Sequence, residues 1–297
     1  MAKLILVTGG AGFIGSSLCA RLVADGHRVI SLDNYFAGTK DAHVAGVDYR
    51  EGHTKDIATH VPETPDLVFH LGEYSRVEKS LLEPAVVWDL NKAGTFGVLE
   101  FCRTKGCKLL YAGSSTKFGD GGLGRDQSPY AWTKATNTEM VRNYGDWYGL
   151  KYAITYFYNV YGPGERAGAY GTLIEIFRQR RLAGEHLRVN APGTQKRNFT
   201  HIDDIVEGLV LVGESGEGDD FGLGDSRAYS ILEVAEMFGG EIVMGPEVAG
   251  NRMSADIDTS KTRLLGWAPS RALIDYIAQT PGAKTKPRRD YSPFRSD

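Results

Sequence analysis

The sequence predicts an α/β fold, a doubly wound parallel sheet with a smaller C-terminal substrate-binding lobe. Three observations point there. Short apolar runs alternate with amphipathic stretches through the first third of the chain, which is the order of βαβ units. A glycine-rich turn separates the first apolar run from the first amphipathic stretch. After Tyr161-Gly162-Pro163-Gly164 the elements become shorter and more irregular, with Pro192, Gly193, Gly216 and Gly218 marking loops.

Taken in order, Leu4–Val7 reads as a buried strand, Gly15–Asp25 as a helix and Arg28–Leu32 as a second strand. Asp66–His70 and Lys108–Ala112 read as later strands. Between them, Val86, Val87, Leu90, Val98, Leu99 and Phe101 have the spacing of one long helix over Pro84–Lys105. A second long helix spans Ser128–Tyr148, and Ala153–Tyr158 is the strand after it. A smaller lobe begins near residue 163. The segment 281–297, rich in Lys and Arg and poor in apolar anchors, reads as a mobile tail.

Composition narrows the classes. The 297 residues carry 34 Lys+Arg and 37 Asp+Glu, a net charge of −3, scattered without a basic stripe; a nucleic-acid partner is not expected. Cys19, Cys102 and Cys107 form no CxxC pair, and the histidines lack ligand spacing, so reduced thiols, a cytoplasmic location and no metal site are expected. No signal peptide or membrane-spanning run is expected either.

The turn Thr8-Gly9-Gly10-Ala11-Gly12-Phe13-Ile14-Gly15 gives each glycine a task. Gly9 permits the tight turn, Gly12 lets a pyrophosphate approach the backbone, and Gly15 lets helix pack on strand. The helix N-terminus, with Phe13 and Ile14, adds partial positive charge. Arg28–Leu32 runs into Asp33-Asn34, where a carboxylate can accept both hydroxyls of an adenosine ribose and would repel a 2′-phosphate. The expected fold is therefore Rossmann-type and the expected cofactor NAD.

Tyr130 and Lys134 stand four apart on a predicted helix, on one face. An ammonium beside a phenol favours the phenolate, which suits a general base acting on a hydroxyl. Ser114 lies at the end of the preceding strand, where strand ends of an open parallel sheet meet the ligand crevice. Its hydroxyl can hold the oxygen that the tyrosine deprotonates.

With these residues the chain resembles the extended short-chain dehydrogenase/reductase family, in its NDP-sugar epimerase and dehydratase branch. The matching pieces are TGGAGFIG at 8–15, Asp33-Asn34, His70-Leu71 with Val77 and Ser80, Asn91 with Gly94-Thr95, Ser114 to Gly119, SPYAWTK at 128–134, YFYNVYGPGE at 156–165, Arg197-Asn198-Phe199 before Asp203-Asp204, and Leu265-Gly266-Trp267. The resemblance implies a catalytic Ser114, Tyr130 and Lys134, with Lys134 also on the nicotinamide ribose. It places Leu71 and Gly72 beside the cofactor and His53-Thr54 where the family often contacts adenine. Asn159 and Arg197 would hold the diphosphate of a UDP-, GDP- or dTDP-hexose, Arg252 would substitute for an Arg usual near Val248, and Ser75 and Ser115 would line the substrate site. Residues 1–162, with about 198–232 returning to them, would form the NAD domain, and about 163–197 and 233–280 the sugar-nucleotide lobe. The two long helices would pair into a four-helix bundle across a homodimer.

The implied chemistry opens with hydride transfer from sugar C4 to NAD while Tyr130 takes the hydroxyl proton. A 4-epimerase then returns the hydride to the other face. A 4,6-dehydratase needs a further carboxylate, which the family places two residues after the catalytic Ser/Thr; here that position is Thr116, so the expectation leans to epimerisation. Glu73, in place of the family's small residue after Gly72, is either a displaced acid/base, which would revive a dehydratase, 3,5-epimerase or oxidase reading, or an ion-pair partner, for example to Arg76 or Lys79. A dinucleotide sensor without catalysis is the reading from another class; it has no use for an activated phenol.

Overall fold

The apolar runs lie side by side as one parallel sheet. The computed structural model describes residues 1–115, 124–157, 159–168, 171–247 and 258–285. The strands β1 (Leu4–Thr8), β2 (Arg28–Asp33), β3 (Val47–Glu51), β4 (Leu67–His70), β5 (Lys108–Ser114) and β6 (Tyr152–Phe157) follow in chain order. Short ladders come from β7 (Val160–Tyr161), β8 (Leu187–Asn190), β9 (Lys196–Asn198) and β10 (Thr200–His201). After β11 (Gly218–Leu223), the strands β12 (Ala228–Ser230) and β13 (Ile242–Gly245) complete those ladders with β9 and β8, while β10 pairs with β7. The main sheet runs β11-β6-β5-β4-β1-β2-β3, every neighbour parallel. Its order reverses between β1 and β4, and the crevice at that switch point is where open α/β sheets take ligands.

Alternation along β1 divides the apolar residues between two faces. Ile5 and Val7 join Leu18, Phe69 and Leu209 on one side; Leu6 joins Ile30, Val68, Val98 and Leu99 on the other. A third apolar cluster, with Ile174, Phe177, Val189, Val234, Phe238 and Leu273, holds the C-terminal elements together. At the strand ends of the sheet, the edge strands β3 and β11 went unread in the sequence. β3 is only partly buried, and β11 opens on Gly218-Asp219-Asp220, so neither offers a continuous apolar run.

The long helix expected over Pro84–Lys105 is continuous but interrupted by a π-helical stretch at Trp88–Ala93. Within it, the Asn91 carbonyl accepts from Asn137 Nδ2 at 2.9 Å, while its side-chain amide accepts from Tyr74 N at 2.7 Å and donates to Thr133 Oγ1 at 3.0 Å. The widened turn thus ties this helix to the next, a common use of π-bulges near functional sites. That next helix, Pro129–Tyr148, starts where Ser128 Oγ accepts from Ala131 N at 3.2 Å with Pro129 in its first turn, and stops at Gly149 with φ 67°. At the C-terminus, the first part of the expected tail is hydrogen-bonded: Lys284 N donates to Met237 O at 3.0 Å, and Arg181 Nη2 to Gly282 O at 3.0 Å. Positions 286–297 lie outside the described residues. No helix among the described residues is long and apolar enough to cross a membrane.

Candidate active site

The ends of β1, β2, β4 and β5 open onto one cavity of about 720 Å3. On the side of β1, the turn is built by contact as much as by flexibility. Gly9 has φ +74° and lies so close to Gly72 that a Cβ on it would sit 2.8 Å from Gly72 Cα; a Cβ on Gly15 would sit 2.1 Å from Gly9 O. The helix Phe13–Ala24 begins at Gly12 with no side-chain cap and no acidic residue in its first turn, which leaves its amides available to an anion. Asp33, at the end of β2, accepts from Ala11 N at 2.9 Å and Tyr35 N at 2.8 Å. Burial raises its carboxyl above the ordinary value despite those two amides. Open helix amides beside a carboxylate on the same cavity fit the pyrophosphate and ribose of a dinucleotide.

On the side of β5, Tyr130 Oη donates to Ser114 Oγ at 3.1 Å, and both are buried. Lys134, one turn further along the helix, donates to Ala112 O and to the Glu73 carboxylate. Its ammonium also lies 4.9 Å from the centre of the Tyr111 ring. Glu73 is closed off on every side: besides Lys134 it accepts from Thr95 Oγ1 at 2.7 Å, Asn137 Nδ2 at 2.9 Å and Tyr111 Oη at 3.2 Å. Burial by itself would raise this carboxyl. The Lys134 charge and the hydrogen bonds from Lys134 and Thr95 outweigh burial and hold it below its ordinary value. The partner of Glu73 is therefore Lys134, not the Arg76 or Lys79 expected from sequence proximity.

Behind the ion pair stands a fixed relay. Thr95 donates its one proton to Glu73, so its oxygen must accept from His70 Nε2 at 3.0 Å; His70 Nδ1 then accepts from Thr8 Oγ1 at 2.7 Å. Burial pushes His70 down to about 4, so the ring stays neutral at pH 7. One chain of hydrogen bonds thereby runs from the glycine turn to the lysine.

The cavity gathers most residues expected to act there. Gly9, Gly12, Phe13, Ile14, Gly15, Asp33, Asn34, Leu71 and Gly72 line its cofactor side; Glu73, Ser75, Ser114, Ser115, Tyr130, Lys134, Asn159 and Arg197 line the rest. Asn159, held at φ 31°, donates to Asn198 O at 2.8 Å, and Ser75 Oγ accepts from Arg76 at 3.1 Å. His53 and Thr54 do not line it. His53 Nε2 lies 3.2 Å from Asp89 and its Nδ1 accepts from Lys55 N, while Thr54 packs against Gly94, so both brace a turn against the interrupted helix. Thr116 and Arg252 lie outside the described residues.

The sequence profile of the NAD dependent epimerase/dehydratase family matches residues 5–224. The chain belongs to that family. NAD is accordingly its cofactor, and the open helix amides with Asp33 are the residues that would hold it. Over 94% of its length the chain is 29% identical to UDP-glucuronic acid decarboxylase 1 of Xenopus tropicalis, covering 71% of that protein. It is equally 29% identical to UDP-glucose 4-epimerase of Mycolicibacterium smegmatis, with 93% and 96% covered. The crystal structure of Thermus thermophilus UDP-glucose 4-epimerase in complex with NAD superposes with a TM-score of 0.86 at 26% identity, covering 93% and 97% of the two chains.

Within this family frame, sequence reading passed over Glu165 and Thr172. Both line the cavity, and both carry buried oxygens without a hydrogen bond. Glu165 stands in the quoted GPGE stretch, but nothing local to that stretch signals that its side chain turns inward.

Proposed function

We propose that this protein is an NDP-sugar 4-epimerase. The observation that carries the reading is the Ser114, Tyr130 and Lys134 cluster, whose neighbouring carboxylate, Glu73, is committed to Lys134, Thr95, Tyr111 and Asn137. Tyr130 Oη is placed to take a proton from a hydroxyl held on Ser114 Oγ. Lys134, one helix turn along on the same cavity, supplies positive charge to the site where a phenolate would form, and Glu73 fixes its position. Bound NAD supplies the hydride acceptor, then the donor, at the carbon bearing that oxygen. Asn159 and Arg197, on the same cavity, would grip the diphosphate through charge-assisted bonds. A sugar ketone anchored at its diphosphate can turn its other face inward, and Tyr130 returns the proton.

A second reading carries the same ketone into decarboxylation or elimination. The equal identity to a decarboxylase and an epimerase favours keeping it. One experiment separates them: incubate the protein and NAD with UDP-, GDP- and dTDP-sugars in deuterated water and follow products by proton NMR and mass. The epimerase reading expects a C4 epimer with no deuterium in the carbon skeleton, and a Tyr130→Phe loss of about 100-fold or more in turnover with NAD retained. Loss of CO2 or water, or deuterium at C3, C5 or C6, would replace it with the second reading. The helices Pro129–Tyr148 and 84–105 further support a homodimer formed through their exposed aromatic side chains.

A further inference from the structure

The loop leaving β7 carries a buried carboxyl group whose oxygens find no hydrogen-bond partner in good geometry among the described residues. Glu165 N donates to Gly162 O at 3.3 Å, closing a turn that points the side chain inward, where it is only 9% exposed. Both of its oxygens are shielded from solvent and neither makes a hydrogen bond; Thr172 Oγ1 is in the same condition. Both residues line the cavity that also holds Tyr130 and Ser114. General crowding does not explain this. The adjacent Glu175 is paired, taking Arg178 Nε and Nη2 at 2.6 and 2.8 Å and Gln179 at 2.7 Å, so that edge of the nearby guanidinium is turned to Glu175. Burial, and then Glu175, push the Glu165 carboxyl up to about 8, with Gly162 N, Arg76 and Arg178 offsetting only part.

A buried polar group without a partner is costly, and native proteins keep few of them. On a cavity wall, the missing partner is most simply the ligand. A diphosphate is a poor match, since two acceptor-rich groups would face each other. A carboxyl group and an alcohol on the wall of one cavity, together offering donors and acceptors, match the hydroxyls of a sugar. We propose that Glu165 and Thr172 form the subsite that hydrogen-bonds the hydroxyls of the substrate's hexose and so select the sugar, an assignment that rests on the NDP-sugar reading above. A site built around a substrate hydroxyl strongly rejects the analogue lacking it, because its own polar groups are then left buried and unpaired.

The test is calorimetric. NAD-loaded wild type, Glu165→Gln, Glu165→Ala and Thr172→Val are titrated with UDP-, GDP- and dTDP-glucose and with the corresponding bare nucleoside diphosphates. The expected result is a wild-type preference for at least one sugar nucleotide over its bare diphosphate. That preference falls about tenfold or more in Glu165→Ala and Thr172→Val, and less in Glu165→Gln, while the bare diphosphate binds within about twofold throughout. Glu165→Gln keeps a neutral hydrogen-bonding group and should unfold at or above the wild-type midpoint at pH 8, which guards against misfolding. Equal loss for sugar and bare diphosphate, an unchanged preference, or no preference in wild type would overturn the assignment. So would a Glu165→Gln enzyme that keeps its preference but loses turnover about 100-fold or more, which makes the carboxyl an acid/base. The binding preference needs no turnover. A preference lost in the variants of a protein that makes no C4 epimer would therefore sink the epimerase reading alone.

Discussion

At the scale of single residues, the site turns on one buried anion. The burial of Glu73 would be prohibitive without Lys134, Thr95, Asn137 and Tyr111 around it. The supporting His70 is neutral only because it is buried, which gives a testable pH dependence. Its folded value, about 4, lies below the ordinary value of 6.5. As pH falls from about 6.5 to 4 the unfolded chain gains a proton that the folded chain refuses, so stability drops, on the order of 3 kcal/mol for this group. Glu73, held below its ordinary value, adds its loss at still lower pH. Urea unfolding between pH 7.5 and 4 should show that decline, flattened in His70→Asn; identical slopes in the two proteins would remove His70 from the account.

At the scale of elements, the glycine turn and the end of β4 are one unit. A Cβ on Gly15 would stand 2.1 Å from Gly9 O, against backbone that cannot rotate away. Gly15→Ala is therefore expected to push the helix Phe13–Ala24 off the turn and weaken dinucleotide binding about tenfold or more, read by titration of NADH fluorescence. Unchanged affinity would mean that the turn tolerates far more adjustment than its contacts suggest. The spacing of glycines was legible in the chain; that Gly72, 63 positions after Gly9, closes the same turn was not. The π-helical stretch was equally invisible, because it follows from Asn91 reaching Asn137 and Thr133 on another helix.

At the scale of the whole molecule, the described surface keeps an aromatic face. Trp88 and Trp132 stack with centroids 6.0 Å apart and are 56% and 38% exposed. Leu81, Pro84 and Pro129 share a shallow groove with them. Such a face on two neighbouring helices suits a two-fold copy of itself. Sedimentation velocity should find a dimer at micromolar concentration, and Trp88→Glu should shift it to monomer by burying a charge at the centre. A wild-type monomer, or a variant that still dimerises, would refute the proposed bundle.

The chain alone determined the parallel α/β architecture, the dinucleotide turn with Asp33, and the Ser114, Tyr130 and Lys134 constellation. Each rests on short-range spacing: apolar period, glycine placement, and four residues along one helix face. Tertiary structure decided what each polar side chain meets. It joined Glu73 to Lys134 rather than to a sequence neighbour, turned His53 toward Asp89 and away from the cavity, and left Glu165 buried without a partner. These outcomes depend on which strand ends and helices the fold brings together. The cost of burying a charge is set by that surrounding shell, and no local pattern in the chain records it.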